Sequence, residues 1–408
     1  MIPVDRHIER ILSVVDAPLE PIELALMEAQ GTVLAEEAAA PVSLPPFDNS
    51  AMDGYAVVTS DVATATSDAP VSLPVVADIA AGDTGAYAIR PGMCARIMTG
   101  APLPGGADAV VPVEWTDGGV AKVRIDRAPK LHNAIRRAGE DVAAGTVVLR
   151  PGRTLGAGEL GVLASVGRRT VRVHPRPRVV VLSTGAELVD VGKQLATGQI
   201  WDSNSYTLTA AASEVGALGY RHGFIGDEPA LVLDTLEDLL VRADILITSG
   251  GVSMGAHDVV KEVLSRLGTV DFTKVAMQPG MPQGFGVIGE DRTPIFTLPG
   301  NPVSAYVSFQ LFVRPAIQRM RGLDPRALPT VNARLTHPVR SPQGKRSFLR
   351  ATLTYGGDGE YRAAPVTRQG SHQLSALAET DALVIVPEEV TELAAGVGVK
   401  VLRLPRTP

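Results

Sequence analysis

The chain has 408 residues, more than one ordinary core accommodates, so about two to four domains are expected. Hydrophobic residues make up 45% and charged residues 20%, a folded composition, while aromatics at 4% require a core of many small apolar side chains. The formal charge of −6 argues against a general nucleic-acid binder, which needs a basic face to displace counterions, but leaves room for a local anion site. The single cysteine, Cys94, excludes an intrachain disulfide framework and a CxxC metal site; it reads as a small apolar strand residue. Met-Ile-Pro-Val-Asp-Arg-His at the start has no apolar leader core, and no apolar run approaches spanning length, so a cytoplasmic protein without membrane contact is expected.

Taken in chain order, Ile8, Ile11, Leu12 and Val15 recur at helical spacing, and Ile22 to Met27 suggests a second short helix ending before Gly31. Pro41 to Gly54 is irregular. From Tyr55 to about Ile125, short apolar runs alternate with turn signals such as Pro104-Gly105-Gly106 and Asp117-Gly118-Gly119, which predicts a β-rich module. A strand at 146–149, a helix over 155–166 and a strand from Thr170 follow. The β module, 51–140, therefore reads as an insertion into an N-terminal region of 1–50 continued by 141–177.

Over 178–328 the pattern changes to buried strands alternating with helices: strands at 179–182, 224–225, 245–248, 270–276 and 295–298, helices at 202–218, 229–241, 259–267 and 303–320. That alternation predicts a mostly parallel sheet covered on both faces. The segment 329–408 returns to short strands, with Gly356-Gly357-Asp358-Gly359 as a hairpin turn, and suggests a small C-terminal β-barrel or sandwich. The expected fold class is thus multidomain: α/β with an inserted β-rich domain and a β-barrel.

In a parallel sheet, ligands bind where strands lead into helices. Three such loops stand out: Ser183-Thr184-Gly185-Ala186-Glu187, Ser249-Gly250-Gly251-Val252-Ser253-Met254-Gly255 and Pro299-Gly300-Asn301-Pro302. Small residues, hydroxyls and free backbone amides near helix starts are how a fold builds an anion site. No GxxxxGK[ST] and no GxGxxG is present. Gly251-Val252-Ser253-Met254-Gly255 does match the GxSxG nucleophile elbow, and a serine hydrolase could be assembled from Ser253, Asp271 and His337 or His372. Both histidines fall in the C-terminal β segment, and the extra Gly250 loosens the elbow. Asp202, Asp227 and Asp258 each precede a helix and would serve as caps worth about 1 kcal/mol apiece.

Pro45-Pro46-Phe47-Asp48-Asn49-Ser50-Ala51-Met52-Asp53-Gly54-Tyr55-Ala56 carries far more information than any of these. It is followed in order by Arg96-Ile97-Met98-Thr99-Gly100-Ala101-Pro102, Gly106 to Val111, Arg137 with Gly139-Glu140-Asp141, Ser183-Thr184-Gly185 with Glu187-Leu188, and Asp202-Ser203-Asn204. Asp227, Ser249 to Ser253 with Gly255 and Asp258, and Leu298 to Ser304 complete the series. The set resembles the MoeA and gephyrin E-domain family of molybdopterin molybdenumtransferases. The resemblance implies a MogA-like molybdopterin-binding α/β domain, an inserted β domain and a C-terminal β domain. It also implies a homodimer, with each active site between the α/β domain of one subunit and the N-terminal region of the other.

The implied reaction takes adenylylated molybdopterin and molybdate, cleaves the adenylate with metal assistance, and releases AMP and molybdenum cofactor. Carboxylates beside a pyrophosphate repel it, unit charges about 4 Å apart interacting by roughly 4 kcal/mol. A divalent cation, Mg²⁺ foremost, reverses that sign. By resemblance, Asp53, Asp227, Asp258 and Glu187 are metal-side carboxylates and Asp141 supports them. Thr99 donates a hydroxyl, and Ser183, Thr184, Gly185, Ser249, Gly250, Gly251, Ser253, Pro299, Gly300, Asn301 and Pro302 line the phosphate and pterin pocket. The family's Lys-Pro-Gly-Lys-Pro is here Gln278-Pro279-Gly280-Met281-Pro282, so two candidate molybdate-holding charges are missing. Lys274, Arg350 and Ser371, with Arg346, are the remaining oxyanion candidates. The lysine losses also admit a non-catalytic molybdopterin-binding scaffold, and the elbow match the serine hydrolase.

Overall fold

The structure is a computed structural model that describes residues 1–225, 228–251, 259–326, 329–357 and 359–404. The chain divides into two compact units, one of 24–30 with 36–171, the other of 1–23, 31–35 and 172–408.

In the first unit a five-stranded sheet runs in the order Ala109–Pro112, Gly54–Val57, Cys94–Ile97, Val71–Ile79, Lys122–Ile125. Period-two alternation sends Tyr55, Val57 and Val111 to one apolar cluster and Ala56 and Val110 to another, so the central strands are buried on both faces. Cys94 is wholly buried here, and burial pushes its thiol up to about 12, the inert strand residue expected. Short antiparallel pairs flank the sheet, Asn49–Ser50 with Ile135–Arg136 and Ala38–Ala39 with Val147–Leu149.

The second unit holds a six-stranded sheet ordered Leu218–Ile225, Arg178–Thr184, Ile245–Ser249, Thr293–Leu298, Pro282–Ile288, Gly268–Lys274. The first four strands are mutually parallel and the last two antiparallel to their neighbours. Val179 and Val181 face one core with Ile247 and Phe296; Val180 and Leu182 face another with Leu236 and Leu264, which is why these strands read as unbroken apolar runs. The mostly parallel, doubly covered sheet agrees with the pattern in the sequence. The helix expected over 303–320 contains a π-turn, Phe309–Val313, between Pro302–Ser308 and Arg314–Met320.

One reading changes and one strand is added. Ile22–Ala25 is a strand, not a helix; four residues of mixed polarity after Pro21 satisfy either period. Pro282–Ile288 is a strand that propensity disguises with Gly284 and Gly286. Both glycines are required there: a Cβ on Gly286 would lie 1.9 Å from the Thr269 carbonyl oxygen, and one on Gly284 2.8 Å from Thr297 Cβ.

The C-terminal segment is a closed barrel: Thr330–Leu335 pairs with Tyr361–Pro365 and Gly398–Arg403, and the long strand Arg346–Tyr355 closes the ring by pairing with both Tyr361–Pro365 and Ala382–Val386. Tyr355 opposes Tyr361 across the expected hairpin. Phe348, Leu383, Leu402 and Leu404 of this barrel belong to the same apolar cluster as Val181, Ile247 and Phe296.

Candidate ligand site at the strand ends

Register brings the three predicted loops level. Ser183 lies beside Ser249, and Ser249 beside Leu298, so the loops leave one edge of the sheet from adjacent strands. The Gly250 N–H donates to the Leu298 carbonyl at 3.0 Å. Gly250 has φ +99°, and a Cβ there would sit 2.5 Å from the Thr184 carbonyl oxygen; one on Gly300 would sit 3.8 Å from Gly250 Cα. Thr184 and Gly250 therefore meet closely through their backbones, with Gly300 beside them, and only glycine fits at 250. Gly251 is also left-handed, φ +72°. Asn301 precedes the helix that starts at Pro302 and its carbonyl accepts from the Ala305 N–H at 2.9 Å; its side chain makes no capping bond. Glu187 lies exposed and folds over Gly185, whose Cβ would meet its carboxylate at 2.6 Å. Asp227, Asp258 and Ser253 lie outside the described residues.

Lys274 belongs to the same edge. Two antiparallel reversals turn Gly268–Lys274 back to the direction of the parallel strands, so its last residue emerges where Leu298 does. The connection that follows carries Gln278 and Met281. Gly280 there has φ +93° and packs against Ser308, and the Gln283 amide donates to the Gly280 carbonyl and the Ser308 hydroxyl at 2.6 Å each. Gln278 pairs with Ser347 of the barrel. Beside it is a cavity of about 430 Å³ whose walls include Gln278, Pro279, Val303, Ser347, Arg350 and Gln369.

The two arginines expected to offer charge here are already engaged with protein groups. Arg350 is 1% exposed; its Nη1 donates to the Gln373 carbonyl at 2.6 Å and its Nη2 to the carbonyls of Arg368 and Gly370. Its forked donors hold the loop that carries Ser371, whose carbonyl in turn accepts from the Val303 N–H at 3.1 Å. Nε alone has no partner among the described residues. Arg346 forks onto Asp5 at 2.8 and 2.9 Å and reaches Glu388 at 3.0 Å, and these two carboxylates hold its guanidinium well above the usual range. An arginine neutralised twice is a poor oxyanion ligand.

In the other unit Asp53 is exposed and oriented. Its Oδ1 accepts from the Thr99 N–H at 2.7 Å and the Thr99 hydroxyl at 2.8 Å, and these bonds hold the carboxyl below the ordinary range. Asp53 is thereby kept ionised, as a hard oxygen ligand must be. Asp141 is exposed too, its N–H bonded to the Leu44 carbonyl at 3.0 Å. Arg137 bonds Asp48 and His132. Among the described residues no cluster of at least three His, Cys, Asp or Glu could hold a metal, and no helix is long and apolar enough to cross a membrane.

Sequence reasoning gave Asp202 a cap's role and counted Asp202-Ser203-Asn204 among the family's motifs, with no role for Asn204. Asp202 does accept from the Ser205 N–H at 3.1 Å, but its Oδ1 also accepts from the Ser183 hydroxyl at 2.8 Å. The Asn204 amide donates to Ser249 Oγ and to the Gly300 carbonyl, 2.7 Å each. Their signal was the Asp-Ser-Asn run ahead of a helix. Of the groups offered to a hydrolase, Asp271 is ion-paired with Arg10, the His337 ring bonds its neighbour Thr336 at 2.8 Å, and His372 is exposed.

Three strand-end loops at one edge of a doubly covered sheet are the arrangement with which the class of α/β proteins binds small molecules. Residues 2–167 match the family model of the MoeA N-terminal region (domain I and II), 180–319 that of a "Probable molybdopterin binding domain", and 332–404 that of the MoeA C-terminal region (domain IV). A Mycobacterium tuberculosis protein named molybdopterin molybdenumtransferase 2 is 46% identical over 402 residues, 96% of this chain and 97% of the relative. The protein named molybdopterin molybdenumtransferase 1 from the same species is 40% identical over 412 residues, 96% of each. A solved molybdopterin biosynthesis moea protein from Pyrococcus horikosii has a TM-score of 0.83 at 32% identity over 99% of both chains. The chain belongs to the MoeA family of molybdopterin molybdenumtransferases.

Proposed function

We propose that this chain is a molybdopterin molybdenumtransferase: it takes adenylylated molybdopterin and molybdate, cleaves the adenylate, and yields AMP and molybdenum cofactor. The observation that carries the reading is the alignment of Ser183, Ser249 and Leu298 at one sheet edge, with Gly250 packed between the neighbouring loops. Backbone amides and hydroxyls in that cradle suit a phosphate ester without a dedicated cation. Ser183, Thr184, Gly250 and Gly300 line the pocket for the pterin phosphate and nucleotide, Ser183 and Gly250 by shape, since their donors are committed to Asp202 and Leu298, and Lys274 supplies positive charge at the same edge.

The oxygen donors Asp53, Asp227, Asp258 and Glu187 suit Mg²⁺, which when bound screens the pyrophosphate and polarises a phosphoryl oxygen. Asp53, held ionised by Thr99, fits that task; Asp141 supports it. We further propose a cytoplasmic homodimer in which Asp53 and Thr99 of one subunit serve the strand-end loops of its partner.

The test is molybdate-dependent AMP release by the purified protein. Asp53→Asn, Asp227→Asn and Asp258→Asn should each abolish release with little change in melting temperature, because Asn at 227 or 258 caps a helix about as well as Asp and the amide oxygen at 53 still accepts from Thr99. Wild-type turnover in all three would sink the carboxylate assignment. Mixing Asp53→Asn and Asp227→Asn dimers and allowing subunit exchange should restore part of the activity; none restored, despite proven exchange, removes the shared site.

A further inference from the structure

Residues 202–204 touch all three strand-end loops. Asp202, 1% exposed, reaches the first through Ser183, and Asn204 reaches the second through the Ser249 hydroxyl and the third through the Gly300 carbonyl. The Ser205 hydroxyl and N–H complete the Asp202 carboxylate, and the Arg221 guanidinium lies 3.9 Å away. A helix cap needs only the bond to Ser205. The bonds to Ser183, Ser249 and Gly300 add nothing to the helix and run to residues 19, 45 and 96 positions distant.

The chemistry at each end is specific. A carbonyl oxygen only accepts, so Gly300 requires the Asn204 amide nitrogen and fixes which way the side chain points. An aspartate there would set a carboxylate against that carbonyl. The Asn204 Oδ1 is buried and without a partner among the described residues, an arrangement tolerated where a side chain is held by its other bonds for a purpose besides stability.

We propose that the Asp202–Asn204 turn is a positioning element that sets the spacing of the three loops and thereby the affinity for the phosphate and pterin of the substrate. The inference rests on the transferase reading for its substrate, but not for its geometry. Neither residue touches reacting atoms; each acts through the loop it holds.

Hydrogen exchange followed by mass spectrometry, together with the kinetics of AMP release, tests it. Asn204→Ala should speed exchange of peptides spanning 249–251 and 299–301 while leaving 183–185 at the wild-type rate; Asp202→Asn should do the reverse. Asn204→Ala should also lower kcat/KM by up to about 100-fold, chiefly through KM, as displaced binding groups do. Asn204→Asp should not rescue it. In a double-mutant cycle with Ser249→Ala, the two KM effects should fall short of adding, since they remove one contact. Wild-type exchange in the distant peptides overturns the proposal, and so does altered exchange with unchanged KM. Altered exchange in a protein whose wild type releases no AMP removes the transferase reading and leaves the positioning role standing. If Asn204→Ala does not fold, Asn204→Ser keeps a donor, and the same peptides decide.

Discussion

The strand-end edge and the barrel beside it treat charge in opposite ways. At the strand ends the three loops carry no Lys or Arg, and Gly250 packs against the Thr184 carbonyl. At the barrel two arginines stand in the right neighbourhood, yet Arg350 is consumed by the carbonyls of Arg368, Gly370 and Gln373, and Arg346 by Asp5 and Glu388. The lesson is that an arginine in the sequence measures charge supplied, not charge available. A buried guanidinium is retained by what it already holds.

The largest expected effect breaks the barrel side of the comparison. Arg350→Ala removes three bonds from a buried guanidinium to the carbonyls of Arg368, Gly370 and Gln373 and should cost about 3–5 kcal/mol in all, read as a fall in melting temperature. If the melting temperature holds and only the molybdate requirement for AMP release rises, Arg350 is a ligand after all.

A third cation-capable side chain, His7, sharpens the point. It is 1% exposed, its ring packs edge-on to Phe312 at 4.7 Å, and burial lowers its pKa to about 4. Between pH 6.5 and about 4 the unfolded chain binds a proton that the folded chain refuses, so stability falls as pH falls through that window, by about 3 kcal/mol in all. Denaturant titrations across that range should lose this slope in His7→Phe.

On the strand-end side, Gly250→Ala forces a side chain into a left-handed residue against the Thr184 carbonyl. It should cost about 1–3 kcal/mol in strain. AMP-release kcat/KM should fall by about 100-fold because the loops must separate. Wild-type kinetics would mean that the three-loop contact does not matter to the ligand.

The smallest effect restores what the sequence lacks. Gln278→Lys with Met281→Lys adds two charges to the connection after Lys274, where Gln278 is exposed on the cavity wall and Met281 half-buried. The molybdate concentration needed for half-maximal AMP release should drop a few-fold, on the order of 1 kcal/mol of exposed electrostatic attraction. An unmoved titration would show that oxyanion charge comes from elsewhere, with Lys274 as the next residue to change.

The strand-end loops were legible because each follows an unbroken apolar strand and is made of small residues, both local properties. The barrel was legible as short strands between turns. The fates of the arginines were not, since Arg346 finds Asp5 341 residues away and nothing near either residue announces the pair. The strand Pro282–Ile288 was hidden because close packing demanded glycine where propensity expects branched residues. Asn204 was hidden for a related reason: an amide donating to a hydroxyl 45 residues away and a carbonyl 96 away looks, in sequence, like any residue at a helix start.

The shared apolar cluster has a consequence for how this architecture is inherited. Phe348, Leu383, Leu402 and Leu404 reach out of the barrel into the core that Val181, Ile247 and Phe296 fill, so the boundary near residue 329 is a boundary of chain topology and not of cohesion. A barrel exchanged with that of a distant relative arrives with four side chains cut to another core, whatever the fit of its own strands. Recombination between lineages is therefore tolerated most easily when the sheet and the barrel travel together, and the two should accumulate compensating changes as a block.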